Sequence, residues 1–582
     1  MNFAKLSALT FGFLLFTNSV AAAPAKSLGD LNLTKAPRTL PFHVQSGEKF
    51  FFTRPTADLG SELWVTDGTA AGTSLVKDIV PGTLGSEPSN FVSTKISGQP
   101  GAYFSARTEA SGRELWVTDG TELGTFMLKD IYPGNTSSVG ADIGEGYPIV
   151  SVPESPYVFF AANNGVNGTE FWVSDGTPAG TKLAADIRPG ASSSNPRDFK
   201  FFPGYPSGVF FIASTAAAGE ELFFGNDVSF SIVHDLNAGA ADSNPGEAFL
   251  TSSALVYPAE TAATGQELWS SDLVTPTLLA DTVPGSATSY IASPMQISTD
   301  QIIYGSIGQV DSSVSISLMS TNGTPAGTSA VVALDCLPGG ITPLITGINL
   351  KVSEVLNGHA LFPCYNIETL RTALWVSDGT AGTTHVLKDF VSAPATYLGD
   401  SFSMQRGNNR IIFMANDGNN GLEPWTTDGT SAGTSLLMDL NPGEAGSIDQ
   451  FVAIMNFLTV QKNASASIFP ATVGKDRKVY YSDGTASNTR QIFDDSDSST
   501  SSSYPTKFAS VGSKIVFSAT DSAKGTELFV SNGKRPGTKL LKNLLKAGDS
   551  LPDDIQSVTP AFSVFSAVHK TKGREIWVTD AT

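Results

Sequence analysis

Short apolar runs bounded by Gly, Pro, Ser or Asp recur along the chain in a constant order. Between Phe91 and Ile131 four stand out: Phe91 to Ile96, Ala102 to Ala106, Glu114 to Thr118 and Phe126 to Ile131. Each has strand length and is enriched in aromatic and β-branched residues, and no segment of the array sustains a helical period. The four-run unit then returns. Glu62 opens ELWVTDGTAAGTSLVKDIVPG, Glu114 opens ELWVTDGTELGTFMLKDIYPG and Glu170 opens EFWVSDGTPAGTKLAADIRPG. The same first position falls at Glu221, Glu267, Ser317, Ala373, Glu423, Lys478, Glu527 and Glu575, which makes eleven copies at a mean period of about 51 residues. Four strands per period is the size of a propeller blade, whereas a β-helix coil is much shorter. The pattern therefore predicts an all-β propeller of about eleven four-stranded blades. Rings usually hold about four to eight blades, so one wide ring and two smaller rings both stand at this point.

Within the unit, the invariant positions read first as parts of the fold. Asp67, Asp119, Asp175, Asp272, Asp378, Asp428, Asp483 and Asp580 follow the third strand, with Asn226, Asn322 and Asn532 in the other three copies. A catalytic carboxylate would not exchange so freely with an amide. A side-chain oxygen that bonds its own turn would. All seven tryptophans occupy one aligned position: Trp64, Trp116, Trp172, Trp269, Trp375, Trp425 and Trp577. One large side chain per blade suits packing between neighbouring sheets, and the alternative, a row of sugar-stacking rings, requires exposure. At the end of the fourth strand stand Asp78, Asp130, Asp186, Asp235, Asp281, Asp335, Asp389, Asp439 and Asp494, with Asn543 in the remaining aligned copy. The plain reading is turn capping. The sharper one is cation binding in the inter-blade loops, for which calcium is the expected ion.

The last copy stops after its third strand. Near the other end Leu28-Gly29-Asp30-Leu31-Asn32 resembles Leu437-Met438-Asp439-Leu440-Asn441, the fourth-strand text of the eighth copy. Residues 28–32 are thus expected to complete the final blade and leave no open edge there.

Composition narrows the function. The 582 residues carry 36 Lys and Arg against 55 Asp and Glu, a formal net charge of −19, which disfavours a nucleic-acid binder. The start of the chain reads as a secretory signal over residues 1–22, with Lys5 as its positive end and an apolar core from Leu6 to Val20 that is too short to span a bilayer; the propeller array then covers 23–582. Export without membrane insertion is the expectation. It makes a Cys336–Cys364 disulfide feasible and gives meaning to the sequons at Asn32, Asn135, Asn167, Asn322 and Asn463.

The string ELWVTDGTAAGT and its echoes resemble the signature of the ELWxxDGT-repeat proteins, over essentially all of 28–582. The resemblance implies a secreted or surface-associated protein and brings no catalytic residue with it. The hairpin text is also similar to the Asp-box of sialidase-type propellers, where the turn is structural. Gly225-Asn226-Asp227 and Asp272-Leu273 depart from the repeat pattern.

No cofactor beyond calcium is called for. His43, His234, His359, His385 and His569 are scattered, and neither a G-x-S-x-G elbow nor a phosphate loop occurs. The enzyme reading, a carbohydrate-active propeller, would need Arg107, Arg113, Arg188, Arg371, Arg410 and Arg574 to converge on a ring axis. The Asp494-Asp495-Ser496-Asp497 run reads as a solvated loop first and a weak cation site second. Asn- and Gly-rich loops before the third strand, such as Ala162-Asn163-Asn164-Gly165, share one rim with the long inter-blade connections. That variable rim is where an extracellular glycan or protein partner is expected.

Overall fold

The structure is a computed structural model. It describes residues 26–27, 43–139, 149–203, 208–284, 289–338, 354–391, 405–443, 460–493 and 504–582, apart from isolated positions or pairs within these spans. Eleven antiparallel sheets follow one another, nine of them built from four strands in sequence order from the inner to the outer edge; the seventh has five strands and the eleventh takes its outer strand from the other end of the chain. In the second blade the strands are Ser89–Ile96, Gln99–Thr108, Gly112–Thr118 and Phe126–Met127. The two central strands run longer than the apolar pattern suggests, the second at both ends and the third at its start, where the ladder continues through Gly112 and Arg113. The fourth is shorter, with only Phe126 and Met127 laddered, opposite Val117 and Trp116; in other blades the fourth strand continues past a register shift beside the Trp position, as between Leu63 and Trp64.

One cross-strand pair recurs in all eleven blades. A second-strand aromatic stands opposite the Trp position: Phe52 and Trp64, Phe104 and Trp116, Phe160 and Trp172, Phe211 and Phe223, Tyr257 and Trp269, Tyr304 and Met319. Phe362 and Trp375, Phe413 and Trp425, Phe469 and Tyr480, Phe517 and Phe529, and Phe565 and Trp577 complete the set. The rings sit about as far apart as offset aromatic pairs do, 6.3 Å for Phe104 and Trp116. Trp116, Trp172, Trp425 and Trp577 are buried, while Trp64, Trp269 and Trp375 are partly buried against the same kind of cluster. They are packing residues, not a sugar-stacking row.

The apolar clusters decide the number of rings. There are eleven, and each joins two neighbouring blades, from Phe51, Leu63, Phe104 and Trp116 between the first and second to Leu528, Ile555 and Trp577 between the tenth and eleventh. The remaining one packs Phe50 and Phe52 of the first blade against Val564, Ile576 and Val578 of the last. The blades therefore form one closed ring, and the two-ring alternative is excluded.

The eleventh blade is finished from the other end of the chain. Lys26 pairs with Val578 and Ser27 with Trp577. Residues 28–32, expected in this role, lie outside the described residues; the strand that pairs is the one immediately before them. Its register matches the alignment, since Leu436, immediately before Leu437, stands opposite Trp425 as Ser27 stands opposite Trp577. Removing residues 1–27 is expected to lower the melting temperature by several degrees, whereas removing residues 1–25 should not. Equal melting of the two forms would dissociate this strand from ring closure.

The seventh blade has a divided inner edge. Leu337–Pro338 and Glu354–Leu356 both pair with the strand His359–Asn366. Cys364 lies in that strand, fully buried and disulfide-bonded; Cys336 lies outside the described residues. Among the described residues no helix is long and apolar enough to cross a membrane.

Candidate functional site

The Asp of the repeated hairpin bonds its own turn. Asp67 Oδ1 accepts the Thr69 amide at 2.8 Å and the Thr69 hydroxyl at 2.7 Å, and Thr69 Oγ1 in turn accepts the Gly72 amide at 2.9 Å. The same bonds recur at Asp119, Asp175 and Asp428, and the Asp or Asn oxygen caps residue i+2 at Asp378, Asp483, Asn322 and Asn532. In the two divergent copies the oxygen still caps the turn, with Asn226 bonding Val228 and Ser229, and Asp272 bonding Val274 and Thr275. The Thr275 and Val274 amides hold Asp272 below its ordinary carboxylate range. None of these oxygens is aimed at a ligand.

A second repeated carboxylate is more unusual. Glu62, Glu114, Glu170, Glu267, Glu423, Glu527 and Glu575 are 0 % exposed and Glu221 is 1 % exposed, at the head of the third strand. Seven of these carboxylates, from Glu62 to Glu527, receive donors from the connection that runs to the next blade. Glu170 accepts the Ile187 amide at 2.8 Å, the Ser194 amide at 2.9 Å and the Ser194 hydroxyl at 2.6 Å. Glu62 takes Val80, Ser86 and the Ser86 hydroxyl, and Glu527 takes Leu544 and the Ser550 hydroxyl. The close fit of loop on strand needs Gly at the preceding turn: Gly112 has φ +66°, and a Cβ there would lie 2.5 Å from the Thr136 carbonyl carbon. Burial pushes Glu114 up to about 7, against the pull of the Ser138 hydroxyl and the Ile131 and Tyr132 amides. Burial likewise raises Glu221 to about 7, and raises Glu62, Glu170 and Glu527.

These glutamates were used above only to align the copies. A sequence signal for their role was present: an ionisable residue at the head of the most apolar strand, with Ser 24 positions later in Glu62/Ser86, Glu114/Ser138 and Glu170/Ser194.

Basic residues are also spent on the fold. Lys77, Lys129 and Lys49 reach the next blade's carbonyls at Thr125, Thr181 and Asp119. Arg113 holds Glu87 and Ser89, Arg410 holds Asp428, and Arg574 holds Leu551 and Ser566, each within its own blade. The arginine cluster that the enzyme reading requires is not assembled by these three. His234 bonds Ser271, and His359 and His385 bond carbonyls two residues away. Among the described residues no three His, Cys, Asp or Glu side chains form a metal-binding group.

Two surfaces remain open to a ligand. The first is the rim where inter-blade connections meet the second-to-third-strand loops. Part of its polarity is self-satisfied: Asn163 and Asn164 cap Gly165, Val166 and Asn167, while Asp417 caps Asn419 and Asn420. Tyr290, in the inner strand of the sixth blade, is 61 % exposed, and Tyr504, just before that of the tenth, is 62 % exposed. The second surface is a cleft of about 590 Å³ on the opposite rim, between the first-to-second-strand turns of blades one to three, lined among others by Gln45, Lys95, Pro100 and Pro156. Among the described residues no carboxylate lines it.

Of the sequons, Asn135 is exposed, and Asn322 is exposed with its Oδ1 in the hairpin turn. Asn167 is half-buried and donates its amide to Asp186 at 2.6 Å, a bond that a glycan would break. Asn32, the side chain of Asn463, and Asp494 to Asp497 lie outside the described residues.

No family model matches the chain, and no curated protein matches it. Solved structures do. Puromycin hydrolase is 13 % identical with a TM-score of 0.29, over 68 % of this chain and 61 % of that one, so the chain spans about three-fifths of its length. An oligogalacturonate lyase in complex with manganese is 12 % identical with a TM-score of 0.25, over 64 % and 85 %. The GH74 xyloglucanase from Xanthomonas campestris is 10 % identical with a TM-score of 0.26, over 92 % and 89 %. At such values the likenesses carry no argument about chemistry, which rests on this chain's own residues.

Proposed function

We propose that the chain is a secreted, non-enzymatic propeller of the ELWxxDGT-repeat type that binds an extracellular glycan on the rim of its inter-blade connections. The observation that carries this is the pair of exposed tyrosines, Tyr290 and Tyr504, at the start of inner strands on the rim where the copies differ most. A tyrosine ring offers an apolar face and a hydroxyl to a sugar. The residues shared by all copies bond the fold to itself, which leaves recognition to those that differ.

A glycan array with the mature chain is expected to show binding to one sugar class. Tyr290→Ala with Tyr504→Ala should weaken it at least tenfold with unchanged melting, and Lys95→Glu in the opposite cleft should leave it intact. Binding lost only in the Lys95 variant would move the site to the cleft. Silence on the array with capture of a protein partner sensitive to the same tyrosines would replace the glycan by a protein.

A further inference from the structure

The buried glutamates leave a chemical deficit. Among the described ion pairs none includes Glu62, Glu114, Glu170, Glu221 or Glu527, and burial of a carboxylate without counter-charge is strongly unfavourable. Next to them lies a second oxygen with the same deficit. The register that pairs Leu63 with Lys77, Phe171 with Ala185 and Leu528 with Lys542 sets Glu62 across from Asp78, Glu170 from Asp186 and Glu527 from Asn543. The inner oxygens Asp78 Oδ1, Asp130 Oδ1, Asp186 Oδ1, Asp439 Oδ1 and Asn543 Oδ1 are all buried and all lack a hydrogen-bond partner. On the glutamate side, Glu527 Oε1 and Glu221 Oε1 lack one too, in side chains that are 0 % and 1 % exposed. Acceptors thus face acceptors at one repeated place, where the outer strand turns toward the next blade.

A buried oxygen without a donor needs a proton, a water or a cation. The glutamates collect amide and hydroxyl donors, three of them at Glu62 and three at Glu170, and such donors favour the ionised form. Two ionised groups side by side then call for positive charge. Lys49, Lys77 and Lys129 are directed at carbonyls, and Arg113 and Arg410 at other carboxylates. Arg54, 2 % exposed and across from Glu62 in the strand register, lies over the Trp64 ring at 3.8 Å. The unpartnered acceptors are hard oxygens of Asp, Asn or Glu, the donor set of calcium rather than of zinc or copper, and an amide oxygen can stand in for a carboxylate oxygen in such a site; the unpartnered donors of the same blades include the indole N–H groups of Trp64, Trp116, Trp172 and Trp425.

We infer that the ring binds calcium between the buried glutamate and the strand-ending Asp or Asn, in the blades of Glu62/Asp78, Glu114/Asp130, Glu170/Asp186, Glu423/Asp439 and Glu527/Asn543, with water and main-chain carbonyls filling the remaining positions. The ion ties the third strand to the outgoing connection and so acts on the ring's stability, apart from any ligand on the rim.

Terbium tests this directly, because it takes calcium's place and its emission is sensitised by a nearby indole. Trp64, Trp116, Trp172 and Trp425 each lie two residues beyond the site's glutamate, on the same sheet face. The chelator-treated mature chain, titrated with terbium under tryptophan excitation, should emit, and calcium should quench that emission by competition. Calcium should also raise the melting temperature above that in chelator. Asp78→Ser, Asp130→Ser, Asp186→Ser and Asp439→Ser combined should remove most of the emission. Should that variant not fold, Asp130→Ser alone should lower the bound calcium by one equivalent. Absent emission with identical melting in calcium and chelator would overturn the inference and assign the oxygens to waters or a shared proton. Emission undiminished in the folded variants would overturn it too, since the metal would then sit elsewhere on this acidic surface.

Discussion

Replacing Glu170 by alanine is expected to be among the most destabilising single changes in the molecule. The carboxylate holds the amides of Ile187 and Ser194 and the hydroxyl of Ser194, and it is 0 % exposed. Its loss leaves three buried donors unpaired at once, each costing about 1–3 kcal/mol when unsatisfied. It also opens a hole beneath the connection between the third and fourth blades. That connection leads into the Phe171, Phe199 and Phe211 stack, whose Phe171 and Phe211 rings lie 4.5 Å apart. A drop of many degrees in melting temperature is expected, with the strands of the third and fourth blades losing hydrogen-exchange protection first. Glu170→Gln keeps two acceptor sites and should cost clearly less. Equal melting of the alanine variant and the parent would mean that the clamp contributes nothing.

The second large effect is a stability that decreases toward neutral pH in chelator. Glu114 and Glu221 have an ordinary value of 4.5 and are pushed up to about 7 in the fold, so the folded chain holds their protons more tightly than the unfolded chain. The stability this contributes is fully present below about 4.5 and is lost as the pH rises through about 7. Glu62, Glu170 and Glu527 shift in the same direction. His43 and His234, whose values burial lowers, act the other way, but they are two against five. Melting measured in chelator should therefore be higher near pH 5 than near pH 8. Glu114→Gln, which needs no proton, should flatten part of that slope. A melting temperature that rises steadily from pH 5 to pH 8 would contradict the assignment.

The blade count and the buried face of the third strand were legible because they rest on large side chains repeated in register, and no other pattern puts Trp or its substitutes opposite a second-strand aromatic eleven times. The turn role of Asp67 was legible for a similar reason, since Asn replaces it. Less was readable where the main chain carries the information. The inner strands enter through residues with left-handed backbone at Glu87, Asn90, Asn195, Asp198, Lys507 and Asp554, none of them glycine; Asn and Asp tolerate that conformation, but in a chain with so many of both their presence does not mark where the bend falls. The number of rings depended on which face the first and last blades share, an apolar cluster that joins Phe50 and Phe52 to Val564 and Ile576 across most of the chain. The glutamate clamp was overlooked because a charged residue next to Leu and Trp reads as the exposed edge of a strand. Only its distant serine partners reveal that it is buried.

Closure by Lys26 and Ser27 also orders events in time. Lys26–Ser27, the first of the described strands to be made, waits for its partner Gly573–Thr579, the last of them. Until then the ring is an open arc, with Phe50 and Phe52 bare at one end and an unpaired strand edge forming at the other. Contacts between neighbours can assemble as each blade appears, but this one has the longest separation in the molecule and the slowest search. Two arcs from different chains present the same complementary ends to each other, so dimers joined end to end are the characteristic error of this design. Their yield should rise with concentration during refolding and fall when the chain is permuted so that its ends meet inside a single hairpin.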